Sequence, residues 1–304
     1  MNRLKEFIEE NKTCIHENII YCFKSESLKT ILKAHLIQGD IDKNFYSEIT
    51  IDEEKIKLRN SPIFIYGEYI KLSREMTQTP LRISGKLKCK KSVSEFTKQI
   101  KEYYQSKEVK FIPSGREDID VKMIGGRPFL LKIIEPKRNF YSFHIPLILD
   151  KDVKLQNMML VTKEIRNFIL TGEKNERKLY QLLVASKEKL QFNKKYELLQ
   201  KTPLRVLHRR ANLVRNKEIE ILESEHIKDP KDIISDIKDL PQDIFYYRIV
   251  LRASAGAYIK EFVHGDLGRT RPSLSSKTNI CDLLELDVLE VEKKEIDPKL
   301  IINK

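Results

Sequence analysis

The 304-residue chain has no long apolar run: its longest stretch free of Asp, Glu, Lys and Arg is Asn139–Leu149, eleven residues. A membrane-spanning helix needs roughly eighteen or more, so a helical membrane protein is excluded. The N-terminal residues Met1–Glu10 mix both charge signs around no apolar segment, so no secretory signal is read and an intracellular protein, cytoplasmic or nuclear, is expected. Cysteine is scarce. Cys14, Cys22, Cys89 and Cys281 include no Cys-x-x-Cys pair, which argues against a zinc ribbon and for isolated reduced thiols in packing positions. A Gly-x-x-x-x-Gly-Lys-Ser/Thr loop and a Gly-x-Ser-x-Gly elbow are both missing, which removes the commonest phosphate-loop and hydrolase readings. There is no repeat period.

What the chain has is charge. It carries 57 Lys and Arg against 45 Asp and Glu, a net +12, and such an excess suits a polyanion, most commonly nucleic acid. At 40% hydrophobic and 34% charged it falls on the globular side of the disorder boundary, and its length allows one large domain or two modest ones.

Hydrophobic periodicity sketches the architecture. Arg3–Glu10 and Glu26–Leu36 read as short helices around a strand at Asn18–Phe23, a small α/β appendage over residues 1–60. Asn60-Ser61-Pro62 then punctuates the chain. Beyond it, Ile63–Leu72, Pro128–Ile134 and Ile244–Leu251 have strand composition, the second following a turn at Gly125-Gly126. Ser92–Tyr104 and Lys163–Leu170 have helical spacing; Leu179–Ala185 fits a strand or a short helix. The order lacks a βαβ rhythm, so residues 61–304 read as one α+β domain, a mixed central sheet flanked by helices.

Two segments are conspicuously basic. Lys86, Lys88, Lys90 and Lys91 fit a solvated charge run. Thr202–Lys217 holds Arg205, His208, Arg209, Arg210, Arg215 and Lys217 with no acid. It reads as a strand with one packed face and one face of guanidinium groups, which suit phosphates and bases. Three polar clusters stand in apolar surroundings. Gly115-Arg116-Glu117-Asp118-Ile119-Asp120 suits a Mg²⁺ site built from Glu117, Asp118 and Asp120, a turn with capping acids, or a single catalytic carboxylate beside an Arg. Gly256–Thr270 contains Lys260, His264 and Arg269. Tyr66–Pro80 contains Tyr69, Lys71 and Arg74, and fits either an aromatic and basic strand suited to single-stranded RNA or an amphipathic edge strand.

Together these clusters resemble the archaeal and eukaryotic tRNA pseudouridine synthase family that acts on T-loop uridines 54 and 55. Gly115–Val121 matches Gly-Arg-Glu-Asp-x-Asp-Val, Thr202–Arg210 matches Thr-Pro-x-Arg-Val-Leu-His-Arg-Arg, and Ala255–Thr270 matches Ala-Gly-x-Tyr-Ile-Lys-Glu-Phe-Val-His-Gly-Asp-x-Gly-Arg-Thr. The likeness runs from about Pro62 to about Glu290. It implies the pseudouridine synthase fold, with Asp118 as the catalytic aspartate, Tyr180 lying against the base (Tyr196 ranks below it) and Lys260 pairing with the aspartate. It further implies a tRNA substrate contacted by Tyr69, Lys71, Arg74, Arg116, Arg205, His208, Arg209, Arg210, Arg215 and Arg269, and a reaction that needs no cofactor and no metal. A monomer is expected. The different-class rival is a tRNA-binding protein or RNA chaperone that keeps the fold without the chemistry.

The chain departs from the family pattern at several points. Glu68 stands where relatives usually have Arg, in Gly67-Glu68-Tyr69-Ile70-Lys71, removing one expected RNA contact. Thr77 replaces a Pro, and the Gly125-Gly126 turn is one residue short. Only about sixty residues precede the family region, without the Cys pairs of the larger RNA-binding extension; a reduced THUMP-like remnant, containing a sheet, is expected there.

Overall fold

Alternating apolar and polar residues favour strands over most of the chain, and strands dominate the computed structural model, which describes residues 2–12, 14–15, 19–23, 46–52, 55–138, 147–228 and 243–302. Among these residues no helix is long and apolar enough to cross a membrane.

The N-terminal segment forms helix α1 (Asn2–Glu10) and a three-stranded sheet, β1 (Ile19–Phe23), β2 (Ser47–Ile51) and β3 (Ile56–Asn60), in that order. Leu4, Phe7 and Ile8 of the helix pack with Ile15, Ile49 and Ile51 into a separate small core. The expected first helix, strand and sheet are therefore present; the helix expected at Glu26–Leu36 lies outside the described residues. Asn60 links this unit to the rest. Its buried amide donates to the carbonyls of Cys14 and Pro136, both at 2.6 Å, while its oxygen accepts the Ser47 hydroxyl at 2.6 Å.

The large sheet begins with β4 (Ile63–Lys71). A small hairpin, β5 (Arg82–Ile83) and β6 (Lys86–Leu87), and helix α2 (Phe96–Tyr103) follow. Strands β7 (Glu108–Pro113), β8 (Val121–Ile134) and β9 (Val153–Val161) complete its first half, with helix α3 (Ile165–Asn175) after them. The second half holds β10 (Lys178–Ser186), β11 (Lys195–Lys201), β12 (Val214–Ile227), β13 (Phe245–Ala253), helix α4 (Ile259–His264), β14 (Thr270–Arg271) and β15 (Cys281–Val291). The order is β14-β11-β12-β13-β10-β15-β8-β4-β9, with β7 also on β8. The α+β class and the mixed sheet match expectation.

One main core runs along a single face. It joins Ile65, Tyr69, Phe96, Ile100 and Phe129 from the first half to Leu182, Ile219, Leu251 and Phe262 from the second. Helix α3 covers the opposite face, placing Ile165 and Ile169 on Tyr66 and Leu130.

The seam between the halves locates the site. Here β8 meets β15 in the one parallel ladder of the large sheet among the described residues, over just three residue pairs, Leu286 with Val121 to Val288 with Met123. Arg74 crosses the seam, ion-paired to Glu285 and Asp287 at 2.8 Å each and donating to the Leu286 and Asp120 carbonyls at 3.0 and 3.1 Å. Gly125 lets the strands close up: a Cβ there would lie 2.5 Å from Glu290 Cα.

Two expectations need correcting. Gly125-Gly126 is no turn, because β8 runs through it, with Gly126 bent to φ +71°. Thr202–Lys217 is not one strand. Pro203 leads into a 3₁₀ turn over Leu204–Arg209, and β12 begins only at Val214.

Candidate active site

Asp118 lies in the loop between β7 and β8, immediately before the seam. That loop is held by buried side chains from β4 and β8. Arg127 of β8 donates to Glu117 at 2.9 Å and to the Ser114 carbonyl at 2.8 Å. The Tyr69 hydroxyl donates to Glu117 at 2.8 Å, and Gln78 donates to Tyr69 at 2.7 Å and to the Gly115 carbonyl at 2.9 Å. Lys71, fully buried, donates to the Ile119 and Met76 carbonyls at 2.8 and 3.1 Å. Burial lowers the Lys71 ammonium below its usual range against the pull of Glu117 and Asp120. Tyr69 and Lys71 are thus loop supports and not an RNA-facing surface.

Of the three acids of the loop, one is turned inward and two share a cation. Glu117 faces inward to Arg127. Asp118 turns outward, its Oδ2 lying 3.0 Å from Arg205 and 3.4 Å from Lys260. Asp120 takes most of the Lys260 ammonium, at 2.8 and 2.6 Å. Partial burial pushes the Asp120 carboxyl upward, but the hydrogen bonds and charge of Lys260 outweigh it and hold it below the ordinary range.

Lys260 comes from the first turn of α4, and the next residue, Glu261, is fully buried. Glu261 Oε1 accepts from Arg205 Nε at 2.7 Å, so it aims the guanidinium at Asp118. Burial pulls Arg205 toward losing its proton, but Glu261 first and Asp118 second keep it above its usual range. Tyr180, on β10 across from Leu251 and Val288, packs against the main core near Arg127. Burial pushes its phenol up to about 12, with Arg127 pulling the other way, so it is neutral at physiological pH. Tyr196 is a core residue, its ring edge-on to Phe262 at 5.0 Å and its hydroxyl accepting from the Asn193 backbone at 2.9 Å.

The remaining residues expected at RNA sort by their ties. Arg74 staples the seam. Arg215 donates to Thr202 at 3.0 Å, and Arg269 donates to the Thr202 carbonyl at 2.8 Å and pairs with Asp266 at 3.7 Å. Arg116, His208 and Arg210 are exposed; the Arg209 side chain is outside the described set. Glu68 is no surface position either. It faces the opposite side of β4, 4% exposed, paired with Lys293 at 2.7 Å and hydrogen-bonded by Gln156 and Tyr66. Sequence reasoning missed Glu261, Arg127 and Gln78 as builders of the site. Glu261 pairs across 56 residues, and Arg127 and Gln78 reach Glu117 and Tyr69 across 10 and 9, so no helix or strand spacing marks them.

After α4 the backbone makes an unusual turn. Gly265 to Gly268 all have positive φ, and two of these residues are not glycine: Asp266 at φ 47°, ψ 51° and Leu267 at φ 55°, ψ 36°. For an L-residue this conformation costs about 1–2 kcal/mol. The Asp266 side chain accepts the Leu204 N–H at 3.1 Å, and its own N–H donates to His264 Nδ1 at 3.0 Å.

Residues 64–292 match the sequence profile of the family described as "Pus10, C-terminal". The "tRNA pseudouridine synthase Pus10" of Xenopus laevis is 36% identical over 264 residues, covering 81% of this chain and 48% of that protein. The human protein of that name is 35% identical, covering 78% and 46%. The Methanosphaera stadtmanae one is 30% identical, covering 92% and 71%. The chain thus spans about half the length of the two animal relatives. Among solved structures, a chain of a Cbf5-Nop10-Gar1 complex is similar at TM-score 0.34 and 14% identity, over 75% of this chain and 50% of that one. With the profile matched across both halves of the sheet, from β4 to the residue after β15, the chain belongs to the Pus10 C-terminal family.

Proposed function

We propose that the chain isomerises uridine to pseudouridine in tRNA, in the T-loop at position 55, with position 54 as a further target, and that Asp118 is the reacting carboxylate. The observation that carries this reading is the environment of Asp118. Its side chain is 31% exposed and faces two cations, Arg205 and Lys260. A carboxylate held this way is fixed between two cations, yet can be reached from solvent. The names of the relatives supply the substrate class.

The target uridine first leaves its stack, because its glycosidic bond is inaccessible inside one. Asp118 then either attacks the ribose C1′ or takes the C2′ proton to give a glycal; both routes break the C1′–N1 bond. The freed uracil turns and C5 bonds to C1′, displacing the Asp118 carboxylate in the first route or with the proton returned from Asp118 to C2′ in the second; the C5 proton leaves to solvent and N1 takes one up. Tyr180 serves as a neutral ring against the uracil, and Lys260 and Arg205 balance the carboxylate's charge as it changes. Arg116, His208 and Arg210 are the exposed groups available to phosphates. Arg205, Arg215 and Arg269 act from ordered positions behind them. Residues 1–60 are an accessory RNA-binding unit of THUMP-like origin, and residues 61–304 a catalytic domain that works as a monomer inside the cell.

Tritium release from tRNA labelled at uridine C5 tests this. The wild type releases tritium and Asp118→Asn does not, while both bind tRNA. Binding by both proteins with release by neither would replace the isomerase by a tRNA-binding protein.

A further inference from the structure

We infer that Leu267 is a wedge that enters the RNA base stack at the place the target uridine vacates; this rests on the isomerase reading above. Leu267 is 91% exposed, the most exposed large apolar side chain among the described residues. It also sits in a left-handed backbone conformation that a glycine would adopt without strain. A leucine at this position gains nothing from burial in the protein and makes the turn harder to form. Isolated exposed apolar residues need no explanation, but one presented on a strained and firmly tied turn does.

The ties are to the candidate active site. Asp266 receives the N–H of Leu204, and the next residue, Arg205, is the cation 3.0 Å from Asp118. The helix leading into the turn carries Lys260 and Glu261. Arg271 donates to the Gly268 carbonyl at 2.9 Å, and Arg269 to the Thr202 carbonyl at 2.8 Å. The tip is therefore fixed relative to the acid.

Its surroundings fit RNA. Arg271 is exposed four residues on, and the exposed Lys201 donates its backbone N–H to the Arg269 carbonyl at 3.0 Å, while the turn's own acid, Asp266, is buried. Leu204, Leu213 and Val214 add exposed apolar surface at 45%, 52% and 56%. An apolar point among cations is what a stacked polyanion can accommodate, with phosphates on the arginines and the side chain between bases. A flipped base leaves a gap, and filling it keeps the base from returning.

The test uses a tRNA transcript with 2-aminopurine beside the target uridine and tritium at that uridine's C5. Wild type is expected to raise the 2-aminopurine fluorescence and release tritium. Leu267→Ala is expected to lose about 10–100-fold in single-turnover release, with Kd for tRNA changed by less than about threefold. Leu267→Phe, which restores bulk, should run at least about tenfold faster than the alanine variant. Leu267→Gly should be slow although its Tm rises, since the turn is then unstrained. On a short unstructured oligonucleotide carrying the same uridine, the alanine variant should match wild type within about threefold, there being no stack to fill. Equal rates for Leu267→Ala and wild type on tRNA overturn the wedge, as do equal losses on both substrates. Fluorescence enhancement by wild type that Leu267→Ala lacks, with no tritium released by either, supports the wedge and removes the isomerase. No enhancement by wild type removes the wedge.

Discussion

Glu117 and Asp118 are neighbours in the chain, and both face arginine, yet their surroundings are opposite. The Glu117–Arg127 pair is sealed, with side chains 2% and 4% exposed, and Tyr69 and Gln78 complete its hydrogen bonds. The pair formed by Asp118 and Arg205 is open, at 31% and 38%, with Lys260 at 21% as a second cation. These adjacent residues face opposite sides of the loop, so one peptide unit separates a sealed carboxylate from an open one. A sealed pair gives little net stability relative to an apolar pair, but it is costly to break. An open pair contributes little to stability and keeps its carboxylate available.

Asp118→Asn gives the largest expected effect and the sharpest form of the contrast. Tritium release should fall by at least about 10³-fold, as expected when a reacting group is removed. Because the pair is open, Tm should stay within about 3 °C of wild type. A large loss of Tm would mean that Asp118 belongs with the scaffold. Glu117→Gln should behave in reverse. Arg127 would be left buried without its counter-charge, at a cost of about 3–5 kcal/mol, read as a lower urea midpoint with an unchanged slope. Any activity lost should return in proportion to the fraction folded. A Glu117→Gln protein of full stability but no activity would break the comparison.

Much of this contrast lies outside what the sequence displays. The α+β class, β4, the appendage with its sheet, and the Asp118 and Lys260 motifs were legible, because alternation and motif spacing are local properties. Which way each polar side chain faces was not. Tyr69 and Lys71 look like an aromatic and basic surface strand. They are buried because both faces of β4 are covered, by the main core on one side and by α3 on the other. Glu68 looks like a lost RNA contact, but its partner Lys293 follows β15, more than two hundred residues later in the chain. The basic Thr202–Lys217 segment reads as a strand because apolar residues interleave with arginines. Pro203 has no N–H to give a ladder, so the segment opens as a 3₁₀ turn instead, and this turn brings Arg205 to Asp118.

Glu261→Gln probes the link between the two environments, since Glu261 is sealed while the arginine it aims is open. Loss of its charge should let Arg205 wander from Asp118 and lower kcat about tenfold, with KM moving less than about threefold. Glu261→Asp should recover part of the kcat. A change confined to KM would reassign Arg205 to RNA binding.

Asp120→Asn gives the smallest and most specific effect. Asp120 is 63% exposed on its side chain and shares Lys260 with Asp118. Burial raises its carboxyl pKa, but Lys260 and Arg205 more than offset this, and the net value is below that of an ordinary Asp. A folded-state pKa below the unfolded one gives stability that is present above the ordinary Asp range and fades as pH falls through the lowered value. Asp120→Asn should therefore lower Tm slightly at neutral pH and flatten the acid side of a plot of Tm against pH, converging with wild type as pH falls. The freed ammonium then has Asp118 as its one close carboxylate among the described residues. At neutral pH kcat should accordingly stay within about threefold of wild type. A larger loss of kcat would mean that Asp120 assists Asp118 as more than a competitor for Lys260, and that two carboxylates of this loop, not one, belong to the open side.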